Sequence, residues 1–185
     1  MNKNVFRNLS YGVYAVCSLD GSRGTGCIAN SAMQVTSSPA TIALSINHDN
    51  FTNGCIKDSG LFSISILSQE SDSEIIGTFG FQSGKDINKL EHIASELKSG
   101  VPVLLDSCGY IVCKVVDQME TSSHTVFLGE VIDSDVFSKE QPMTYAYYHS
   151  VKKGKSPEKA PTYLPDEDNS PSAEHYVCSV CGYVY

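Results

Sequence analysis

The 185-residue sequence lacks several features that would have placed it in well-defined classes. It has no dense basic block, because 13 basic residues stand against 21 acidic ones and the net charge is −8. A chain this acidic is poorly suited to the nucleic-acid backbone, so we expect no nucleic-acid partner. It has no apolar run of membrane-spanning length and no signal-peptide core after Met1. We therefore expect a cytoplasmic protein with no membrane partner.

Familiar nucleotide-binding and hydrolase motifs are also missing. No GxGxxG run, P-loop or Ser-His-Asp arrangement stands out, so a Rossmann-type domain or a hydrolase is weakly supported. Seven cysteines are present, and five of them show no metal-binding spacing. In a reducing compartment we expect these five to be small, partly buried thiols. They are Cys17, Cys27, Cys55, Cys108 and Cys113.

Short strands dominate what is present. With 41% hydrophobic residues, the chain can form one domain with a substantial core plus a tail. Close spacing and tight turns favour an antiparallel barrel or sandwich. Alternating apolar residues predict strands at residues 11–19, 41–46, 61–67, 110–116 and 125–131.

Only brief helices are predicted between these strands. Thr52 has the character of a cap for a short helix that Gly60 would end. The capping-box pattern beginning at Ser71 predicts a second helix over residues 72–78. Apolar residues at helical spacing predict a third helix starting at Asp86.

Residues 24–39 form the most informative stretch, in which small residues are followed by neutral hydrogen-bonding side chains. Hydroxyls and backbone N–H groups suit a flat, polar, phosphate-bearing ligand without a dedicated cationic pocket. A return strand and loop with ordinary polar residues explain the same composition, so both interpretations stay open. The polar side chains are Asn30, Ser31, Gln34, Thr36, Ser37 and Ser38.

Four further side chains admit both a structural and a functional interpretation. His124 is either a solvated turn histidine or a proton donor or positioning group over a cofactor ring. Thr52 is either a simple cap or part of a phosphate site at a helix N-terminus. Lys85 and Lys89 are expected on the solvated surface, where one of them could neutralise a phosphate.

The end of the sequence has a different character. Residues 151–172 are rich in Pro, Lys, Glu and Asp and predict a linker. In residues 173–185, the pair Cys178 and Cys181 has the spacing of a metal knuckle, with a redox dithiol or chance as alternatives. Two thiolates are half of a tetrahedral site, so we expect a metal-free tail rather than a four-cysteine site shared by two chains.

These motifs resemble the flavin reductase-like, FMN-binding split-barrel family over residues 1–150. The resemblance implies a mainly β fold, a six-stranded antiparallel Greek-key split barrel with short helices, which forms a homodimer. The tail is similar to that of high-molecular-weight rubredoxins, in which such a domain precedes a rubredoxin; here that part stops after its first CxxC. The motifs are NSxxQVTSxP at 30–39, TIALSI at 41–46, LFSISIL at 61–67 and SSHTVFLGEV at 122–131.

The resemblance also implies a set of site residues, with FMN at the subunit interface. The catalytic residue would be His124, near the ring where NAD(P)H docks. The metal ligands would be Cys178 and Cys181, with iron expected only if a complete rubredoxin site is formed. The implied cofactor-binding residues are Ala29, Asn30, Ser31, Gln34, Val35, Thr36, Asn47, Asn50, Thr52, Lys85, His124 and Tyr148.

The implied activity is electron transfer from NAD(P)H through FMN to an iron centre and on to a flavodiiron-type acceptor. One alternative is a flavoredoxin-like FMN carrier without nicotinamide chemistry, and another is a structural dimer bridged by metal. Ser122-Ser123-His124 stands where relatives often carry Gly-Asp-His, so no role for a carboxylate of that loop carries over.

Overall fold

A computed structural model describes residues 2–154 as nine strands and three α-helices, preceded by a 3-10 helix at Lys3–Asn8. The predictions for the rest of the linker and for Cys178 and Cys181 lie outside these residues. The strands are β1 Tyr14–Asp20, β2 Arg23–Ala29, β3 Ala32–Ser37, β4 Ala40–Asn47, β5 Leu61–Ile66, β6 Ser95–Lys98, β7 Val101–Leu104, β8 Gly109–Glu120 and β9 His124–Val136. The helices are α1 Phe51–Ser59, α2 Ser73–Phe81 and α3 Tyr145–Ser150.

Seven of the strands form one antiparallel sheet in the order β2-β1-β5-β8-β9-β4-β3, and β6 and β7 form a separate hairpin. The predicted mainly β, antiparallel fold with short helices is confirmed. The main sheet has seven strands where the resemblance implied six. The polar return stretch is not one strand, because it breaks at Asn30 and Ser31 into β2 and β3.

The break brings the two edges of the sheet together. β2 and β3 are the outermost strands, yet only Asn30 and Ser31 separate them in the chain. Three residue steps span at most roughly 11 Å. The sheet must therefore curl into a barrel that is split between β2 and β3, and the polar stretch lies at the split.

Three apolar clusters lie in the described part of the chain, and the two larger ones bear on the site. The first lies between the strands and α1 and includes Leu44, Phe62 and Phe127. The second packs residues from α2 and α3 against the other face of β1, where Ala15 and Cys17 alternate with Val16 of the first cluster. The predicted buried thiols are confirmed, since the cysteines of residues 2–154 are all free and buried. Burial raises the pKa of the Cys17 and Cys113 thiols to about 12.

The N-cap of helix α1 lies two residues before the predicted one. Asn50, not Thr52, is the N-cap: its side-chain oxygen accepts a hydrogen bond from the Thr52 backbone N–H at 3.0 Å. Gly60 ends the helix as predicted, with φ 67° and its N–H bonded to the Ile56 carbonyl. Only glycine adopts this left-handed conformation without strain.

The cap of α2 also differs from the prediction. Asp72 is the N-cap and accepts from the Glu74 N–H, so the helix covers Ser73–Phe81 instead of residues 72–78. Ser71 instead donates its hydroxyl to the Asp106 carbonyl at 3.2 Å. The capping-box spacing predicts a cap one residue before the actual one, because Ser71 and Asp72 both carry a suitable side-chain oxygen.

The helix predicted from Asp86 does not form. Asp86 and Ile87 both donate their backbone N–H groups to the Ser83 carbonyl, which makes a turn. The Ile87 carbonyl accepts from Arg23 at 3.4 Å, and Lys89 is buried instead of solvated. Long-range contacts to β2 thus override a local helical pattern. Within residues 2–154, no helix is both long and apolar enough to cross a membrane.

Candidate functional site

The first group of predicted site residues lies at the split of the barrel. Ala29 and Asn30 are buried, and Ser31 fastens the crossing to β4. The Ser31 hydroxyl donates to the Ser45 carbonyl at 2.7 Å, and the Ser45 N–H donates to the Ser31 carbonyl at 3.0 Å. These two reciprocal hydrogen bonds therefore hold the crossing against β4.

The second group follows the edge strand β3. Gln34, Val35 and Thr36 are exposed. The Gln34 amide donates to the Thr36 carbonyl at 3.1 Å, and the Thr36 hydroxyl donates to the Pro39 carbonyl at 2.6 Å. These residues line an open surface concavity of about 470 Å³ together with Ser37 and Ser38. Because β3 has a partner on one side only, its outer backbone groups remain open to a ligand or a second chain.

The third group lies where β4 ends and α1 begins. Asn47 is directly opposite His124 in the pairing of β4 with β9. The His48 N–H donates to the Ser123 carbonyl at 2.9 Å, which fixes the β8–β9 turn against this loop. Thr52 follows the cap, but its side chain is 1% exposed and contacts the buried Cys27 thiol. Thr52 therefore offers a ligand its backbone more readily than its hydroxyl.

These groups form a band along β4 rather than one compact pocket. Thr36 is the strand partner of Thr41, and His124 is the strand partner of Asn47. Between them, Ser31 is hydrogen-bonded to Ser45. The six residue steps from Thr41 to Asn47 span roughly 20 Å. The band suits an elongated ligand and brings together the sequence-predicted residues of β2, β3 and the β4–α1 connection.

His124 carries the most informative local geometry. Its Nδ1 lies 2.8 Å from the Ser123 hydroxyl, whereas its Nε2 is buried and has no hydrogen-bond partner among the described residues. Burial lowers the pKa of its imidazole below the usual 6.5, and the nearby His48 lowers it further. A buried nitrogen without a partner costs about 1–3 kcal/mol, so Nε2 is the atom of this site with the most to gain from a hydrogen bond.

Glu120, which the sequence analysis missed, holds this end of the site together. Its carboxylate accepts from His48 Nε2 at 2.8 Å, Lys57 Nζ at 2.8 Å and the Thr125 hydroxyl at 2.9 Å. Asn53 extends the network by donating to Thr125 Oγ1 at 3.0 Å. The Lys57 ammonium, followed by the Thr125 hydroxyl, lowers the pKa of Glu120. The network joins α1 to the turn that carries His124, and most of its partners are far away in sequence.

The two remaining predicted residues lie on other elements. Lys85 is exposed, in the turn after α2, and its N–H donates to the Ser83 hydroxyl at 3.2 Å. Tyr148 is half-buried on α3 and packs against the second core cluster. The N–H of Tyr145 donates to the Tyr11 carbonyl at 2.8 Å and so ties α3 beside the start of β1.

The donor set of this part of the molecule fits a flat ligand with a phosphate better than a metal. Among residues 2–154, no three metal-ligating side chains converge. The band offers neutral amides and hydroxyls, the N-terminus of α1, and the unpaired Nε2 of His124. The second buried polar atom without a partner in this part of the chain is the Thr25 hydroxyl oxygen, which lies next to Gly84, as does the ring of Phe51 at the start of α1. Helix N-termini and neutral donors bind phosphate without a cationic cage.

An antiparallel barrel split beside a neutral polar band defines a class of small ligand-binding β-barrels, and the sequence comparison identifies the family within it. The profile described as "Flavin reductase like domain" matches residues 6–155. The chain therefore belongs to the flavin reductase-like family and is an oxidoreductase, which confirms the resemblance and the enzyme class predicted from its motifs.

Two characterised relatives cover most of the chain. It is 37% identical to the high molecular weight rubredoxin of Moorella thermoacetica, over 100% of this chain and 83% of that protein. It is 38% identical to the ferric-chelate reductase (NAD(P)H) of Archaeoglobus fulgidus, over 89% of this chain and 98% of that protein. The solved NADH:FAD oxidoreductase of Streptomyces globisporus matches with a TM-score of 0.70 and 23% identity, over 76% and 83% of the two chains, which shows the shared fold.

Proposed function

We propose that the protein binds FMN and transfers electrons from NAD(P)H through it to an iron-containing acceptor. The observation that carries the proposal is the buried, unpaired Nε2 of His124 beside the neutral polar band. The names of the two relatives, a rubredoxin and an NAD(P)H-dependent reductase, support the same activity. Bound FMN would supply the conversion between two-electron and one-electron transfer.

Different groups of residues would bind different parts of FMN. Asn30 and Ser31 would orient the ring at the split of the barrel, with Ala29 beneath it. The N-terminus of α1, with Lys85 close to it, would hold the phosphate through backbone N–H groups. The exposed edge of β3 would contact the cofactor through Gln34, Val35 and Thr36, and Tyr148 would cover it from α3.

His124 would position the nicotinamide and hold a proton at Nε2. When the Ser123 hydroxyl donates to Nδ1, the neutral imidazole carries its proton on Nε2 and presents a hydrogen-bond donor. Burial favours this neutral form, because it lowers the pKa of the imidazole. Glu120 would keep the turn of His124 against α1.

The acceptor side of the proposal follows from the similarity to a rubredoxin. Residues 1–150 would form the flavin module, residues 151–172 a linker, and residues 173–185 a knuckle with Cys178 and Cys181. Electrons would leave for an iron centre and then a flavodiiron-type partner. The Archaeoglobus relative points to ferric chelates as a second acceptor class, because it matches over nearly its whole length.

A homodimer completes the proposed site. The band spans about 20 Å along β4, beside the open edge strand β3, and would leave one face of a flat ring uncovered. Exposed Met33 and Val35 on β3 provide apolar surface for a second subunit. Light scattering should report a dimer, and a monomer that still binds FMN tightly would contradict the shared site.

Steady-state NADH and NADPH oxidation by the FMN-loaded protein tests the activity. We expect turnover with ferric chelates or an added rubredoxin as acceptor, and a flavin absorption spectrum with one FMN per subunit. A protein that binds FMN but is reduced only by another protein would instead be a flavoredoxin-like carrier. The absence of flavin fluorescence quenching on titration would refute the FMN assignment.

A further inference from the structure

Lys89 is a buried lysine that the proposed reaction does not use. Its side chain is 3% exposed, and its ammonium donates to the Gly26 carbonyl at 2.8 Å and the Phe79 carbonyl at 3.1 Å. The same ammonium lies 5.6 Å from the centroid of the Phe79 ring. Burying an ammonium is unfavourable unless such contacts compensate for the lost water. These contacts therefore fix the position of the chain segment that contains Lys89.

The two carbonyl partners join Lys89 to two different elements. Phe79 lies in the last turn of α2, where unpaired carbonyls and the helix dipole attract a cation. Gly26 lies within β2. Lys89 thus fastens residues 83–89, the segment that does not form the predicted helix, to α2 and to the barrel.

Arg23 fastens the same segment from the start of β2. Its guanidinium donates to the Gly84 carbonyl at 2.9 Å and to the Ile87 carbonyl at 3.4 Å. A Cβ added to Gly84 would clash with the Thr25 hydroxyl and lie 3.4 Å from the Phe51 ring. Since Phe51 is the first residue of α1, the segment is held against the N-terminus of that helix, and Lys85 is the next residue.

Two independent features at this junction favour an anion. The nine-residue helix α1 presents its N-terminus there. The Thr25 side chain is 1% exposed, and its hydroxyl has no hydrogen-bond partner within the described part of the chain. We propose that Lys89 is a positioning residue for phosphate recognition: it holds residues 83–87 on β2 so that Lys85 stands beside the N-terminus of α1. This inference rests on the proposed function, because the phosphate is that of FMN.

The test compares FMN with riboflavin, which lacks the phosphate, by fluorescence titration of the full chain. Lys89→Met keeps the length and removes both hydrogen bonds, and it should weaken FMN binding by about tenfold while riboflavin affinity stays within about twofold. Lys85→Ala should weaken FMN binding less in the Lys89→Met background than in the wild type, because both residues act on one phosphate. Lys114→Met, an exposed lysine on β8, is the matched control and should leave both affinities unchanged.

Each outcome decides one claim. An equal loss for FMN and riboflavin, or no loss for either, would show that Lys89 is structural only. Should Lys89→Met fail to fold, Arg23→Met loosens the same segment, and an unchanged preference for FMN in that variant would overturn the inference. A wild-type protein that binds FMN no better than riboflavin would instead refute the proposed phosphate site itself.

Discussion

At the scale of single residues, His124 is the side chain on which the proposed chemistry depends. His124→Ala should slow the reduction by NAD(P)H roughly 10²-fold in stopped-flow measurements, as is typical for the loss of one acid–base group. FMN affinity should fall much less than the rate of reduction, since most of the proposed ring and phosphate contacts lie on other residues. His92→Ala, an exposed histidine of the 82–94 segment, is the control. An unchanged rate of reduction in His124→Ala would show that His124 has only a structural role in its turn.

The protonation of the same residue predicts a pH dependence. Burial lowers the pKa of folded His124 below 6.5, so between that folded value and 6.5 the unfolded chain binds more protons. The stability due to neutral His124 is therefore complete above pH 6.5 and is lost as pH falls through that window. Its NMR titration should have a midpoint below 6.5. Urea unfolding of the wild type should weaken more than that of His124→Ala on acidification, and equal weakening would contradict the shift.

How far the sequence predicts such residues depends on whether their partners are local. The motif order predicts His124 as a site residue, which stays a prediction, whereas the turn chemistry of Gly60 correctly placed the end of α1. Glu120 gave no local signal, because His48 and Lys57 approach it from 72 and 63 residues away, respectively. Lys89 was placed on the surface because its acceptors are backbone carbonyls, which no sequence pattern reveals.

At the scale of elements, α1 offers a paired test of its end and its interior. Gly60→Ala should destabilise the protein by about 1 kcal/mol, because Gly60 has φ 67° and alanine is strained there. Gly54→Ala lies in the middle of the same helix, with open space around an added Cβ, and should stabilise by up to about 1 kcal/mol. Urea unfolding of both variants measures the difference, and equal shifts would contradict the assigned cap.

The network of Glu120 should be sensitive to salt. Glu120→Gln removes the charge that pairs with Lys57 and His48, and it should lower the urea midpoint more than Glu130→Gln on the neighbouring strand. Because the carboxylate is exposed, the difference should shrink at about 1 M salt, where the Debye length is about 3 Å. A difference that persists in high salt would indicate packing instead of charge.

Strands were predicted more accurately than helices for a physical reason. The alternation at residues 41–46 and 61–67 places the large apolar side chains on the face that packs in the first core cluster, and both segments are strands of the main sheet. In β5 the opposite face is also buried, but it carries the small residues Ser63 and Ser65. The helical spacing after Asp86 had no comparable constraint, since Arg23 and Lys89 bind that segment from outside it. The break at Asn30 and Ser31 was hidden, because a polar strand and a polar crossing have the same composition.

At the scale of the whole molecule, the open question is whether the tail holds metal. Cys178 and Cys181 supply two of the four thiolates of an iron or zinc site, so one chain alone should bind weakly. The acidic run at residues 166–168 opposes pairing of two tails by like-charge repulsion. Elemental analysis should find well below half an equivalent of iron or zinc per subunit. Half an equivalent that disappears in Cys178→Ser would establish a shared four-cysteine site.

The burial of the thiols in residues 2–154 has a practical consequence for work on this protein. A maleimide needs an accessible thiolate, and those five thiols are enclosed, with the pKa of Cys17 and Cys113 raised to about 12. Alkylation of the native chain should therefore spare these five cysteines, whereas the denatured chain exposes all seven. The mass added at these five positions thus counts the unfolded molecules in a preparation.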